Sequence, residues 1–341
     1  MASSGPSQQQ CFVGYSHAYN ATGAMTQMNG LKGTGTAWNL AFDYPFTNAL
    51  SDVYSSVTKT VNGGAPVVTE SFYDAFGRRR AKRNAIGDGQ EFLYDLGHQL
   101  LVDSIWKTSA SSVTADEYVW LDGRPVLVVR SNLTAKGGHK TDYVDDLDTG
   151  AGNCSRPIDD GQVNCGLFHL VSNLQGFVNV AIHDGTGLVA SVMLPDADGT
   201  VNQPRMMAAG TNGTAWAQRF NVPTTFSKQA RFRTSWTGGL PGWGGGVDSF
   251  ELGGQTVLTG GPTTELGQAW SSWSPTVTGS TDVVWSTTCA NGCMSAADLF
   301  EWRTWETGAA RFQTRLRFPG QYADAETDFY ENWNRYYDPP T

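Results

Sequence analysis

Three segments of the chain share one short pattern, and that pattern reverses the direction of a β-strand. Residues 17–23 (HAYNATG), 71–77 (SFYDAFG) and 91–97 (EFLYDLG) each run a strand into Tyr, then Asn or Asp, then a Gly two or three positions on. A returning strand follows each one. Tyr favours extended backbone and offers a ring that packs between neighbouring hairpins. The Asn or Asp side chain closes the reversal by accepting backbone N–H groups, and Gly takes the left-handed position. One such unit cannot bury a face by itself, whereas a stack of them buries a continuous one.

The remaining sequence has the same texture. Short runs rich in Val, Tyr, Phe, Trp and Thr alternate with Gly, Asn and Asp, which is the signature of antiparallel strands joined by tight turns. Glu117–Leu121 (EYVWL), Asp122-Gly123 and Pro125–Arg130 (PVLVVR) form one such hairpin, with Asp-Gly supplying the positive φ values of a two-residue turn. Helical spacing is confined to Ser295–Glu306 and Thr327–Arg335, which are predicted as short helices in an all-β chain. A chain of 341 residues is long enough for one large or two ordinary cores. The sequence has no apolar run long enough to span a membrane as a helix. Residues 1–10 (MASSGPSQQQ) lack the basic start and apolar centre of a secretory signal. A net charge of −9 argues against nucleic acid as a partner. The one basic run, Arg78–Arg83 (RRRAKR), reads as a solvated strand face.

The turn units resemble the YD repeats of the Rhs family, which includes bacterial Rhs proteins, the shells of insecticidal toxin complexes and animal teneurins. Residues 118–125 (YVWLDGRP) are similar to the segment after the last repeats of Rhs cores. Residues 168–184 (FHLVSNLQGFVNVAIHD) resemble a worn version of a further family stretch. Residues 318–339 (FPGQYADAETDFYENWNRYYDP) are close to the motif that closes the core. Departures touch turn chemistry: Asn20 stands for Asp, and His98 occupies a place where the family prefers Arg. The resemblance implies a β-hairpin sheet forming part of a shell, secreted or displayed at a surface. Its partners would be other YD-repeat chains or upstream shell sequence. It also implies that the chain stops short of the self-cleavage segment and toxin of toxin-bearing cores.

Between the last two blocks the family has a short connection, and here about 115 residues intervene, far more than a structureless loop spans. The expected organisation is therefore an arm at 1–11, a YD-repeat sheet at 12–195, an inserted Trp-rich β-sandwich or jelly roll at 196–310, and a closing motif at 311–341 that returns to the sheet. Eight of the 12 Trp fall in the insert, at 216, 236, 243, 270, 273, 285, 302 and 305. Exposed Trp forms platforms for sugar rings, so Trp236, Trp243, Trp270 and Trp273 are candidate ligand contacts, with Asp248 and Glu251 as polar partners. Trp243 leads, because Gly242 and Gly244–Gly246 surround it; Trp236 and Trp285 lie in strand-like runs that pack inward. Alternating Trp also fill sandwich cores, and that reading stands beside the first.

Cys154 and Cys165 bracket one loop and Cys289 and Cys293 another, each a candidate local disulfide, with Cys11 left over. No cofactor or metal is implied. The acidic loop at 141–150 (TDYVDDLDTG) lacks calcium-loop spacing. Asp324, Glu326 and Asp328 read as turn residues of the closing motif. His17, His98, His139, His169 and His183 are scattered, and neither a nucleophile elbow nor a phosphate-binding loop occurs. The first reading is a non-enzymatic structural shell component. The second is a binding module for glycans or a cell surface through the insert, and the third a glycan-active hydrolase.

Overall fold

The computed structural model describes residues 14–21, 23–32, 35–44, 53–61, 63–106, 112–134, 165–194, 213–236, 247–260, 273–288, 296–309, 311–324, 327, 329–332 and 335–337. The chain is all-β, with no helix among the described residues. The strands begin with β1 (Gly14–Tyr19), β2 (Met25–Lys32), β3 (Gly35–Asp43), β4 (Ser56–Val61) and β5 (Val67–Tyr73). Then come β6 (Arg79–Asn84), β7 (Gly89–Tyr94), β8 (Leu100–Trp106), β9 (Ser112–Leu121), β10 (Arg124–Thr134), β11 (Gly166–Ser172), β12 (Val178–His183) and β13 (Val189–Val192). They are followed by β14 (Gly213–Phe220), β15 (Phe226–Trp236), β16 (Val247–Leu252), β17 (Gln255–Gly260), β18 (Val277–Thr278), β19 (Thr281–Thr288) and β20 (Ala296–Glu306). The last three are β21 (Gln321–Ala323), β22 (Tyr330–Asn332) and β23 (Arg335–Tyr337).

Two compact units divide these strands. One takes in Phe42–Thr58, Val67–Val201 and Thr304–Thr341; the other takes in Met1–Ala41, Lys59–Pro66 and Asn202–Arg303. In the first, β5 to β13 hydrogen-bond to one another in sequence order. The side chain of Asp74 explains why the chain turns where it does. Its Oδ1 accepts the N–H groups of Phe76 at 2.9 Å and Arg78 at 3.0 Å, while Gly77 donates to the Asp74 carbonyl. Gly77 sits at φ 78°, and the pairing slips by one residue beside the turn, between Phe72 and Tyr73. This is a three-residue hairpin closed by a bulge. Asn84 and Asn173 build the same turn, the latter accepting from Gln175 at 2.9 Å and Phe177 at 3.0 Å. Asn20 does so in the other unit, where its Oδ1 accepts from Ala24. At Asp95 the left-handed residue is His98 (φ 67°) rather than the expected Gly97. Asp122 and Gly123 both take positive φ, as a two-residue hairpin demands.

One face of this sheet is covered. Phe92, Leu100, Tyr118, Val128, Phe168, Leu170, Val178, Ala181 and Ala190 are buried on it, together with Phe312, Leu316 and Tyr322 from the C-terminal part. Phe312 stacks on Phe168 with centroids 4.5 Å apart, and Tyr322 meets Phe92 edge-on at 5.2 Å. The closing motif forms its own three-stranded sheet, β21-β22-β23, instead of adding strands to the hairpin sheet. In the other unit β1, β2 and β3 form a meander, β14-β19-β16-β17 form a four-stranded sheet, and β15 pairs with β18. Phe250, Leu252 and Val283 are buried there.

Both short helices predicted from spacing are strands. Ala296–Glu306 is the eleven-residue β20, and the second segment contributes β22 and the start of β23. Leu299, Phe300, Trp302 and Trp305 match a helical period in a run this short. The same residues are strand formers, and pairing to neighbouring strands decides between the two.

Replacing Asn173 with Ala removes the acceptor for two backbone N–H groups, one of them leading into fully buried Phe177. A loss of about 1–2 kcal/mol in urea unfolding is expected for Asn173→Ala, and close to none for Asn173→Asp, which keeps the acceptor.

Candidate functional site

The hairpin sheet and the closing segment meet through ionised side chains held away from water. Arg79 is completely buried, and its guanidinium donates to both oxygens of Asp324, at 2.5 and 2.9 Å. Lys82 Nζ donates to Asp324 Oδ1 at 2.9 Å, and Glu331 lies 3.6 Å from Arg79 Nη2. The face of Phe92 covers the Arg79 guanidinium at 4.8 Å. Strict alternation along β6 would place Arg79 and Lys82 on opposite faces. The pairing of β5 with β6 passes from Phe72↔Ala81 to Tyr73↔Arg79, so Arg80 is an extra residue and Arg79 and Lys82 come to one face. The solvated reading of Arg78–Arg83 therefore holds for Arg80 and Arg83, which are exposed, and fails for Arg79 and Lys82. Asp324 is likewise more than a turn residue: its backbone N–H bonds Phe329 O, while its side chain anchors both cations.

Two further polar contacts repeat the arrangement across the sheet. Tyr322 Oη donates to Asp103 Oδ2 at 2.6 Å, and Gln90 Nε2 donates to Tyr322 Oη and to Asp103 Oδ1. Arg130 forms a bidentate pair with Asp116 at 2.7 and 2.8 Å, reaches Gln313 O at 3.3 Å, and lies over the Phe312 ring at 4.5 Å. These electrostatics set protonation states. Burial works to raise the Asp324 carboxyl, but Arg79 and Lys82 beside it outweigh that and hold it at about 2. Burial pushes Glu331 up to about 7 despite the attraction of Arg79. Burial also holds the Tyr94 phenol well above its ordinary value.

Beside this cluster lies a cavity of about 200 Å³ between the turns and the segment 316–322. Tyr94, Leu100, Trp120, Pro125 and Phe318 supply apolar wall, and the Glu331 carboxyl also lines it. Trp120 is fixed by donating Nε1–H to Leu100 O at 2.8 Å. Gly176 permits the close approach of the closing loop, since a Cβ there would stand 2.7 Å from Pro319 Cγ.

The insert candidates are placed unequally. Trp243, Trp270, Cys154, Cys289 and Cys293 lie outside the described residues, as does the acidic loop at 141–150. Trp236 is the last residue of β15, and Asp248 and Glu251 are in β16. Trp273 is half-buried, with the guanidinium of Arg303 4.0 Å and that of Arg231 4.7 Å from its ring centre. Arg231 pairs with Glu301 at 2.6 Å, and Arg303 donates to Gln229 Oε1. The residues that join sheet to closing segment were missed by sequence reasoning. The Asx-x-x-Gly spacing shared by Asn20, Asp74, Asn84 and Asn173 would have located two more turns. No group of three or more His, Cys, Asp or Glu placed to hold a metal occurs among the described residues, and they contain no helix long and apolar enough to cross a membrane.

No protein-family model matches the sequence, and no curated protein matches it. Among solved structures, TcdB2-TccC3 without its hypervariable C-terminal region is similar at 14% identity over 55% of this chain and 10% of that one, with a TM-score of 0.28. A Tc holotoxin pore from Photorhabdus luminescens is similar at 15% identity over the same shares, with a TM-score of 0.29. An exo-β-1,3-galactanase from Phanerochaete chrysosporium shares 8% identity over 84% of this chain and 80% of that one, with a TM-score of 0.18. The chain spans about a tenth of the length of the two Tc structures.

Breaking a buried pair from one side leaves a charge without its partner. Asp324→Ala is expected to cost about 3–5 kcal/mol in chemical denaturation, far more than removal of the exposed ion pair by Asp282→Ala. The pH dependence separates the two carboxyls. Asp324 sits below its ordinary 3.8, so its stabilisation is present above about pH 4 and lost as pH falls towards 2. Glu331 sits above its ordinary 4.5, so its contribution is full below that value and lost as pH rises through about 7. Glu331→Gln is therefore expected to flatten the stability profile between about pH 4.5 and 7. It should also gain on the wild type above that range, by an amount on the order of 2–3 kcal/mol.

Proposed function

We propose that the chain is a non-enzymatic strip of a YD-repeat shell, secreted or surface-displayed, whose partners are other shell chains. The observation that carries this reading is the recurrent Asx turn joined to a closing segment whose ionised groups are buried against the same sheet. Each hairpin adds two antiparallel strands. The segment at 311–337 then covers their common face, so polar side chains are spent on closure. The motif series ending at residues 318–339 supports the assignment to the Rhs group. Residues 196–310 are proposed as an inserted β domain carried by the strip. The reading includes a disulfide between Cys165, which is buried, and Cys154, as an oxidising compartment would allow.

The test is assembly. Co-expressed with a YD-repeat shell chain, the protein is expected to purify within a hollow particle and to appear by cryo-electron microscopy as a stretch of its wall. Isolation as a lone chain that turns over a glycan, with turnover abolished by one carboxylate substitution, would replace the shell reading with the hydrolase.

A further inference from the structure

Successive turns of the β5–β13 sheet alternate between its two edges. One edge carries the turns at 74–77, 95–98, 122–123 and 173–176. On it Phe76, Leu96, Leu121 and Leu174 are 69%, 96%, 63% and 91% exposed. Hairpins in such a sheet recur about every 10 Å, so the edge presents a spaced row of apolar tips. Single exposed apolar side chains are ordinary; Phe76 and three leucines on the turns of one edge are a patterned surface.

The cavity of about 200 Å³ is on this same edge. Gly97, Gly123 and Gly176 of those turns line it, and Tyr94, Trp120 and Phe318 give it apolar walls. The cations that line it are committed elsewhere. Arg78 is bonded to Asp74 and to Asp95 O, and Arg317 to the carbonyls of Thr314 and Leu316. An apolar cavity of about 150 Å³ holds a benzene ring, so this one has room for one leucine side chain.

We propose that this turn edge is a self-complementary interface, in which Leu96 or Leu174 of a second copy of the chain enters the cavity beside Trp120. Knob and hole occupy one edge, so a two-fold pair satisfies both at once and closes without leading to a filament. Asp122 and Arg124, exposed at the same turn, supply opposite charges for the rim. A buried anchor in a pocket with a polar surround is the arrangement that concentrates binding energy in protein interfaces. The inference rests on the shell reading and adds to it a way for strips to meet edge to edge.

Sedimentation equilibrium of the full chain tests it. Wild type is expected to dimerise reversibly, and the double variant Leu96→Asp, Leu174→Asp to dimerise at least about tenfold more weakly. Because both side chains are exposed, the variant should keep the wild-type thermal midpoint. Dimer affinity unchanged in that variant, or a wild type that stays monomeric throughout the concentration range, overturns the proposal. Benzene held in the cavity of such a monomer, read by nuclear magnetic resonance, would make the site one for a free small molecule and overturn it too. The two readings fail separately. A hollow particle in which this edge is free of contacts overturns the pairing and leaves the shell standing. A leucine-dependent dimer from a chain that enters no particle supports the pairing and removes the shell.

Discussion

Arg79 is cut off from water on every side, so the fold has to supply everything its charge needs. A guanidinium in that position is tolerable only if a carboxylate meets it in good geometry, and Asp324 does so with both oxygens. The two residues are 245 positions apart, so the pair also specifies which distant segment covers the sheet. Apolar packing of Phe312, Leu316 and Tyr322 supplies much of the driving force. It does not discriminate among registers as sharply as a buried charge does. Lys82 on the same carboxylate, Asp103 on Tyr322 and Arg130 on Asp116 repeat the requirement across the sheet.

The turns make that convergence possible. Each Asx side chain holds the backbone of its hairpin tip, and the bulge beside it re-aims the residues that follow. Arg80 is the instructive case. By adding one residue to β6 it brings two cations three positions apart onto the covered face. Remove the bulge and Lys82 would point to the other side. Local turn chemistry thus decides which charges are available for the long-range pairing.

This division explains what could be read from the chain and what could not. Tyr-Asp or Tyr-Asn followed by Gly announces a hairpin, and the all-β architecture follows from the runs between such signals. The Asp122-Gly123 turn was legible down to its two positive φ angles. Asn84 and Asn173 escaped because no Tyr precedes them, although their oxygens do the same work. The charged cluster escaped for a deeper reason. A basic run in a strand looks solvated unless its partner is known, and Asp324 lies far away inside what reads as a turn. Segment 295–306 misled because aromatic and aliphatic residues at helical spacing are equally good strand residues once neighbours are present.

The covered face also has a life before it is covered. Chain synthesis delivers β5 to β13 well before residues 311–337, so for a time the nascent sheet exposes the side of Phe92, Tyr118, Val128 and Phe168 to the cell. A uniformly greasy sheet in that state would pair with other chains. Arg79, Lys82, Gln90, Asp103, Asp116 and Arg130 interrupt it, acting as gatekeepers against aggregation until the last segment arrives. The same ions that fix the register of the covered sheet thereby break up the apolar face of the half-made one.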